Sequence, residues 1–155
     1  MDTISNSFTG SYSYTLDAKG RVNIPAKMRK ALGPSNDSTF VATRGADRCV
    51  ILYPLEVWHA QTEAKLLRLN KGRAINRHFT RNLMRHAEML QYDGQGRIPL
   101  PVALVEYAGV EKDVEIVGMI DRIEIWNPKV LDEHETQFEG REEDLESIAD
   151  EIDVY

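Results

Sequence analysis

The amino-acid sequence predicts an α+β, strand-rich fold in which two pseudo-symmetric β-β-α-β-β modules form one barrel-like unit, joined by a helical linker. An internal repeat is the first observation behind this prediction: residues 17–25 read DAKGRVNIP, and residues 93–101 read DGQGRIPLP. Such self-similarity indicates two copies of one structural unit. The second observation is size, because four short strands and one helix are too few to bury a core alone. We therefore expect the two copies to interlock around a pseudo-two-fold axis.

The repeat continues beyond these two segments, and its spacing shortens downstream. The matched residues are Asp17/Asp93, Gly20/Gly96, Arg21/Arg97 and Pro25/Pro101 at an offset of 76, then Asp47/Asp121, Arg48/Arg122, Ile51/Ile125 and Pro54/Pro128 at an offset of 74. The second copy has therefore lost two loop residues. Whatever role Arg21 has, we expect Arg97 to share it.

Each element of the two copies follows from local pattern. Alternating polar and apolar residues predict short strands, and turns containing Gly separate them. Pro opens each helix, because the first helical turn leaves its N–H groups unbonded anyway, and Gly closes it. The predicted strands cover residues 11–16, 21–24, 39–42 and 49–53 in the first copy and 89–92, 97–100, 114–117 and 123–126 in the second, with helices that open at Pro25 and Pro101 and close at Gly33 and Gly109.

Helical periodicity predicts a linker of two helices, at residues 54–69 and 74–90, between the copies. A final helix is expected after Pro128, with Leu145, Ile148 and Ile152 along it. The predicted organisation is a first module at residues 8–54, the linker at 55–88, a second module at 89–130 and an acidic C-terminal helix or tail at 131–155.

Composition argues against several classes of protein. No run of about 18 apolar residues is present, so we expect no membrane span. The first residues lack the basic and apolar regions of a secretory signal. A single cysteine, Cys49, cannot form an intrachain disulfide, and we interpret it as a small core residue of a cytoplasmic protein.

Charge is distributed unevenly along the chain, although the net charge is only −6. Residues 1–90 carry 14 Lys or Arg against 7 Asp or Glu, whereas residues 91–155 carry 5 against 18. Residues 132–153 alone hold 11 acids and one base, Arg141. This asymmetry predicts a basic partner-binding surface and an acidic tail that cannot approach phosphates closely.

The first copy of the repeat carries a cluster of cations beside its turn. Asp17 and Gly20 are explained by the turn itself, since Asp hydrogen-bonds the turn backbone and Gly permits a positive φ. The turn does not account for the surrounding cations. Contact with DNA would account for them, because a two-stranded ribbon fits a major groove and Arg is the usual bidentate reader of guanine. The candidate DNA-binding residues of this copy are Lys19, Arg21, Asn23, Lys27, Arg29 and Lys30.

The second copy keeps the turn but loses most of the cations. Asp93 and Gly96 are its turn residues, Arg97 and Gln95 its candidate DNA contacts. The positions equivalent to Lys27, Arg29 and Lys30 hold Ala103, Val105 and Glu106. We therefore expect the first copy to supply most of the affinity and the second to contribute mainly Arg97.

Other sequence features favour less specific interpretations. A basic stretch at residues 65–85 contains a stripe of four arginines spaced four residues apart, Arg73, Arg77, Arg81 and Arg85. Two interpretations of this stripe stay open: an interface with acidic residues, and direct contact with nucleic acid. The four histidines show no metal-ligand spacing, so no metal or other cofactor is expected. Two aspartates sharing a proton would suggest catalysis. Each is followed four residues later by Arg, which favours the ionised form and argues against an enzyme.

At the level of these motifs the chain resembles the MraZ family, whose members consist of two tandem AbrB-like (SpoVT/AbrB, swapped-hairpin) modules. The resemblance covers about residues 8–130 and rests on both Asp-x-x-x-Arg motifs, the Gly-Arg-(Val/Ile)-x-(Ile/Leu)-Pro continuation, Tyr53-Pro54 and the stretch with Arg77, Phe79 and Arg81. It implies a transcriptional regulator of the division and cell-wall gene cluster, including its own promoter. It also implies a ring-shaped homo-oligomer that binds direct repeats of double-stranded DNA in the nucleoid, through Arg21 and Arg97.

A second hypothesis comes from the acidic tail. An antitoxin-like protein-interaction module would use residues 132–153 to hold a basic partner. Deleting the tail separates the two hypotheses, because DNA binding should survive the deletion and partner binding should not.

Overall fold

The computed structural model describes residues 7–154, so Tyr155, the last residue of the predicted tail, lies outside them. The described chain is a mixed α+β fold with eight strands, which confirms the predicted class. The strands are β1 Ser11–Thr15, β2 Arg21–Asn23, β3 Thr39–Arg44, β4 Val50–Pro54, β5 Glu88–Gln91, β6 Arg97–Pro99, β7 Asp113–Gly118 and β8 Ile123–Trp126; the α-helices are α1 Ala26–Ala31, α2 Leu55–Val57, α3 Ala64–Leu67, α4 Ala74–Arg85, α5 Val102–Ala108, α6 Pro128–Glu135 and α7 Glu142–Glu151.

Strand pairing joins the two copies of the repeat. Six antiparallel strands form one sheet in the order β1-β7-β8-β4-β3-β5, and β2 and β6 form a separate two-stranded ribbon. The first strand of each copy pairs with the third strand of the other, since β1 lies against β7 and β5 against β3. The pairs β2–β6 and β4–β8 join equivalent strands. The copies therefore interlock as expected from their repeat.

The larger sheet stays open at β1 and β5 over residues 7–154, so a closed barrel is not formed there and the barrel-like part of the prediction is not confirmed. A second feature concerns β1 and β2, the strands on either side of the Asp17–Gly20 turn, which do not pair with each other. They pair with different partners in different sheets. The turn between them connects the sheet to the ribbon.

One apolar core fixes the sheet, the ribbon and the short helices relative to one another. Val22 and Ile98, paired across the ribbon, are both fully buried. They pack with Met28 of α1 and Leu104 of α5, the equivalent helices of the two copies. Each such side chain contributes about 1.5–3 kcal/mol through its removal from water. The core thus holds the ribbon firmly from its inner face.

The linker differs from its predicted helices in two ways. Its first helix runs as α2, a π-helical segment Trp58–Glu63 and α3, and it ends at Leu67 rather than at residue 69. Buried Trp58 lies in the π-helical segment, where its Nε1 donates to Oε2 of Glu63 at 3.1 Å. The second helix ends at Arg85, not at residue 90, because Leu90 belongs to β5 and pairs with Phe40.

The predicted final helix is two helices, α6 and α7, separated by Gly140. Gly140 has a φ of +82°, which a helix interior does not accommodate. No helix within residues 7–154 combines the length and apolar character that a membrane crossing requires.

Candidate nucleic-acid interface

The turn after β1 is closed by the carboxylate of Asp17. Its Oδ1 accepts hydrogen bonds from the backbone N–H groups of Lys19 and Arg21, both at 2.9 Å, and its Oδ2 accepts from Nε of Arg21 at 2.7 Å. Gly20 has a φ of +76° and donates its N–H to the carbonyl of Asp17. The predicted pairing of Arg21 with Asp17 across a glycine turn is therefore present.

The second copy repeats this turn with nearly the same distances. Oδ1 of Asp93 accepts from the N–H groups of Gln95 and Arg97 at 2.9 Å, and Oδ2 accepts from Nε of Arg97 at 2.9 Å. Gly96 takes a φ of +80°. Two five-residue segments with only Asp, Gly and Arg in common thus fold alike, because these residues make the defining contacts.

These hydrogen bonds stabilise the ionised carboxylates. The backbone N–H of Arg21, followed by its side chain, lowers the pKa of Asp17 below its ordinary value of 3.8. The backbone N–H of Arg97 likewise lowers the pKa of Asp93. Both groups are therefore ionised at neutral pH and paired with their own arginines, which does not suit the two carboxylates of a proton-sharing catalytic dyad.

The ribbon brings the two turns into one site. Arg21 lies opposite Pro99, and Asn23 lies opposite Arg97. Alternation puts these four residues on the outer face, because Val22 and Ile98 between them point into the core. Arg21 and Arg97 are diagonal neighbours on that face, at a spacing of about 7 Å expected for antiparallel strands. Arg21 and Asn23 therefore point away from the buried Val22 and Ile24.

Backbone hydrogen bonds extend the ribbon symmetrically into both turns. The N–H of Ile24 donates to the carbonyl of Gly96 at 2.8 Å, and the N–H of Leu100 donates to the carbonyl of Gly20 at 3.1 Å. Each turn is therefore fixed by the strand of the other copy as well as by its own aspartate.

Both arginines leave part of the guanidinium group unused by the protein. Their side chains are about one-quarter exposed, at 27% for Arg21 and 26% for Arg97. Only Nε of each makes a hydrogen bond within residues 7–154, to Oδ2 of its own aspartate. The two Nη groups of each arginine can donate to an external acceptor, such as a guanine edge or a phosphate.

The other candidate residues of the first copy fall into two groups. Lys19, Lys27 and Lys30 are exposed and form no ion pair within the described part of the chain. Arg29 is half-buried instead, and its Nε donates to the carbonyl of Ile24 at 3.0 Å. Its guanidinium lies against Gly96 of the second copy, where an added Cβ would sit 2.5 Å from Cζ.

Sequence reasoning missed that Arg29 links the two copies and that Pro99 stands opposite Arg21. The repeat holds a signal for the Arg29 contact. The second copy has Val105 at the equivalent position, so an arginine there is specific to the first copy. The exposed Gln95 follows Asp93 on the outside of the second turn, as expected for a candidate contact.

The other side chains considered from the sequence are the cysteine, the possible metal ligands and the arginine stripe, and none of them belongs to the ribbon. Buried Cys49 is a core residue as interpreted, and burial raises the pKa of its thiol to about 12. No three His, Cys, Asp or Glu side chains cluster as metal ligands within residues 7–154. The arginine stripe of α4 is exposed, and no residue of the described chain forms an ion pair with it.

Comparison with known proteins agrees with the repeat seen in the sequence. A family model described as "MraZ protein, putative antitoxin-like" matches twice, at residues 7–82 and 83–152. The start points of these two matches are separated by the 76 residues that separate Asp17 from Asp93.

Several curated relatives match over nearly their full length. Each of the following is named Transcriptional regulator MraZ. The relative from Natranaerobius thermophilus is 41% identical over 94% of this chain and 96% of its own, and that from Syntrophomonas wolfei subsp. wolfei is 43% identical over 92% and 97%. The relative from Lactobacillus delbrueckii subsp. bulgaricus is 40% identical over 94% and 96%. With two matches to the family model and relatives at this level of identity, the chain belongs to the MraZ family.

Proposed function

We propose that this chain is a sequence-specific, double-stranded DNA-binding transcriptional regulator that contacts DNA through the outer face of the β2–β6 ribbon. One observation carries the proposal: Arg21 and Arg97 share that face, each held at Nε by its own aspartate, and their Nη groups have no hydrogen-bond partner within the described chain. A ribbon of two strands fits the major groove, and a guanidinium donates to O6 and N7 of guanine. The relatives' name supports a role in transcription.

Each candidate residue has a role in this proposal. Arg21 and Arg97 read bases, and the amides of Asn23 and Gln95 suit adenine edges or phosphate oxygens. Lys19, Lys27 and Lys30 neutralise phosphates, which adds affinity without sequence information. Arg29 positions the second turn through Gly96 and adds positive charge beside it. No step in this function requires a metal, another cofactor or catalysis.

Affinity in the proposal comes from several ribbons acting together. A ring-shaped homo-oligomer would present one ribbon per subunit to successive direct repeats, and linked weak contacts then give strong overall binding. The resemblance supports the remaining details: AbrB-like swapped-hairpin modules at residues 8–54 and 89–130, a cytoplasmic protein associated with the nucleoid, and a target that includes its own promoter and the division and cell-wall gene cluster.

The experiment that tests this function is a footprint and gel shift on DNA from upstream of the protein's own gene. We expect protected sites at regular spacing and shifted complexes for the unaltered protein. Arg21→Ala and Arg97→Ala should each weaken the shift, and Lys129→Ala, which removes an exposed cation from α6, should not. Undiminished binding by a folded double variant would exclude the ribbon as the DNA-contacting surface.

The second candidate function is protein interaction through the acidic tail. The exposed apolar residues Leu145, Ile148 and Ile152 of α7 and its end favour it, as does the antitoxin-like description of the family. Deleting the acidic tail from residue 132 onward distinguishes the two functions. DNA binding that survives the deletion supports the ribbon, whereas loss of a co-purifying basic protein with no DNA binding in either form supports the alternative.

A further inference from the structure

Helix α7 has an apolar stripe that no other part of residues 7–154 covers. Leu145, Ile148 and Ile152 follow one another at spacings of three and four residues, which places them on one face. They are 56%, 54% and 62% exposed. Every hydrogen bond and ion pair of residues 141–152 stays within residues 138–154 in the described chain. The helix therefore offers an unpartnered apolar face.

Acidic residues flank this stripe on both sides. At about 100° per residue, Glu142 and Glu146 fall on one side of the stripe and Asp144 and Glu151 on the other. Their exposed carboxylates line a helix whose only base is Arg141 at its N-terminal cap. A surface that accepts this face needs an apolar floor and basic edges.

A groove with that chemistry lies between α3 and α4 of the same chain. It has a volume of about 380 Å³, and its apolar floor is formed by Leu66, Leu67, Leu69 and Met84. Leu67 is 68% exposed and Met84 is 41% exposed, so the floor is open to solvent. The groove is thus another apolar surface that the described residues leave uncovered.

The edges of the groove are positively charged. Lys71, Arg77 and Arg81 line it together with the neutral Asn76 and Thr80, and no acidic residue of the described chain does. None of the three cations forms an ion pair within residues 7–154. Helix α7 thus presents an exposed apolar stripe with acidic edges, and the groove presents an exposed apolar floor with basic edges. The two surfaces are complementary in both polarity and charge.

We infer that the groove between α3 and α4 of one subunit receives α7 of a second copy of this chain. Leu145, Ile148 and Ile152 would cover the leucine and methionine floor, and the flanking carboxylates would meet Lys71, Arg77 and Arg81. This is helix-in-groove recognition with charged edges that fix the orientation. The inference rests on the self-association in the proposed function, and it assigns the arginine stripe to a subunit contact rather than to DNA.

Cross-linking between two different single-site variants tests the contact directly. One chain carries Met84→Cys in the groove, and a second, longer-tagged chain carries Ile148→Cys on the stripe. The natural Cys49 is fully buried and stays unreactive in both. A short bismaleimide should join the two chains into a heterodimer, since neither chain contains both sites.

Ser147→Cys is the matched control, because residue 147 is turned about 130° away from the centre of the stripe. We expect its heterodimer yield to be at least several-fold lower than that of Ile148→Cys. Arg77→Glu with Arg81→Glu in the groove chain should lower the Ile148→Cys yield by a similar factor, and Glu142→Lys with Glu146→Lys in the tail chain should restore it. Equal yields from both faces, or no heterodimer, would overturn the inference.

The mass of the assembly separates this inference from the proposed function. We expect Leu145→Ser with Ile148→Ser, both at exposed positions, to lower the mass measured by light scattering. An unchanged oligomer would overturn the α7 contact and leave self-association standing. A monomer for the unaltered chain, at the concentrations that bind DNA, would contradict both.

Discussion

The guanidinium of Arg29 lies directly against the backbone of Gly96, 67 residues further along the chain. A Cβ on Gly96 would sit 2.5 Å from both Cζ and Nε of that arginine. The Nε of Arg29 is itself held by the carbonyl of Ile24, whose N–H donates to the carbonyl of Gly96. The backbone hydrogen bond has a counterpart at the first turn, where the N–H of Leu100 donates to the carbonyl of Gly20, but the Arg29 contact joins the two copies at the second turn alone.

This contact predicts different outcomes for two equivalent glycines. Gly20 and Gly96 have similar positive φ values, so an alanine at either costs about 1–2 kcal/mol of stability through backbone strain. Nothing lies within 4 Å of a Cβ on Gly20, whereas one on Gly96 displaces Arg29. We expect denaturant unfolding to rank Gly96→Ala as the less stable variant.

Arg29→Ala supplies the control for that comparison. In an Arg29→Ala background the excess cost of Gly96→Ala over Gly20→Ala should disappear, since the displaced group is absent. An excess that persists in this background would show that the arginine contact is not its cause.

The two aspartates predict a dependence of stability on pH. Their pKa values are lowered by hydrogen bonds in the folded chain, so their contribution is complete above the ordinary value of 3.8 and is lost as pH falls through the lower folded values. The difference in unfolding free energy between the unaltered chain and Asp17→Asn/Asp93→Asn should therefore shrink as pH is lowered from about 5 toward 3. A difference that stays constant over this range would contradict the assignment.

Salt dependence distinguishes phosphate contacts from base contacts. If Lys27 and Lys30 neutralise phosphates, removing both should reduce the slope of log K against log salt by about 2 and weaken all sequences alike. Arg21→Lys keeps the charge but loses the bidentate fork, so it should leave the slope nearly unchanged and reduce discrimination against altered sites. The measurement is fluorescence anisotropy with specific and scrambled DNA over a range of salt concentrations. A lower slope for Arg21→Lys, together with lost discrimination for the double lysine variant, would instead assign phosphate contact to Arg21 and base contact to the lysines.

The cysteine predicts slow chemical modification. Burial raises the pKa of Cys49 to about 12, so little thiolate is available at pH 8 and access requires opening of the core. A colourimetric thiol reagent should react slowly with the folded chain and rapidly after addition of denaturant. Fast reaction in the folded state would contradict the buried position, and the Ser147→Cys variant provides an exposed thiol for calibration.

Local features of the fold were predictable because their causes are local. Asp17, Gly20 and Arg21 close a turn through contacts within five residues, and the repeat shows that Asp93, Gly96 and Arg97 do so again. Alternation likewise separates the outer face of the ribbon from its buried face. The class of fold and the candidate arginines followed from these patterns.

Strand partners were not predictable in the same way. Alternation in residues 21–23 specifies which side is buried but not which strand lies alongside, and β2 pairs with a strand 76 residues away rather than with β1. The end of α4 has a similar cause. Residues 86–90 continue an apolar spacing compatible with a helix, but Glu88–Gln91 pair with β3, where Leu90 lies opposite Phe40, and so form β5 instead. Long-range pairing decided both outcomes.

The central claim is that Arg21 and Arg97 contact DNA from one face of the ribbon. The most direct test is the Kd of the Arg21→Ala/Arg97→Ala double variant for the footprinted upstream DNA, measured beside Lys129→Ala. A bidentate arginine–guanine contact contributes about 1–3 kcal/mol of discrimination, so each lost arginine weakens binding by about five-fold to 150-fold. We predict a loss of specific affinity of about 30-fold or more for the folded double variant and an unchanged Kd for the control. Specific binding retained within a factor of about two by the double variant would contradict the account.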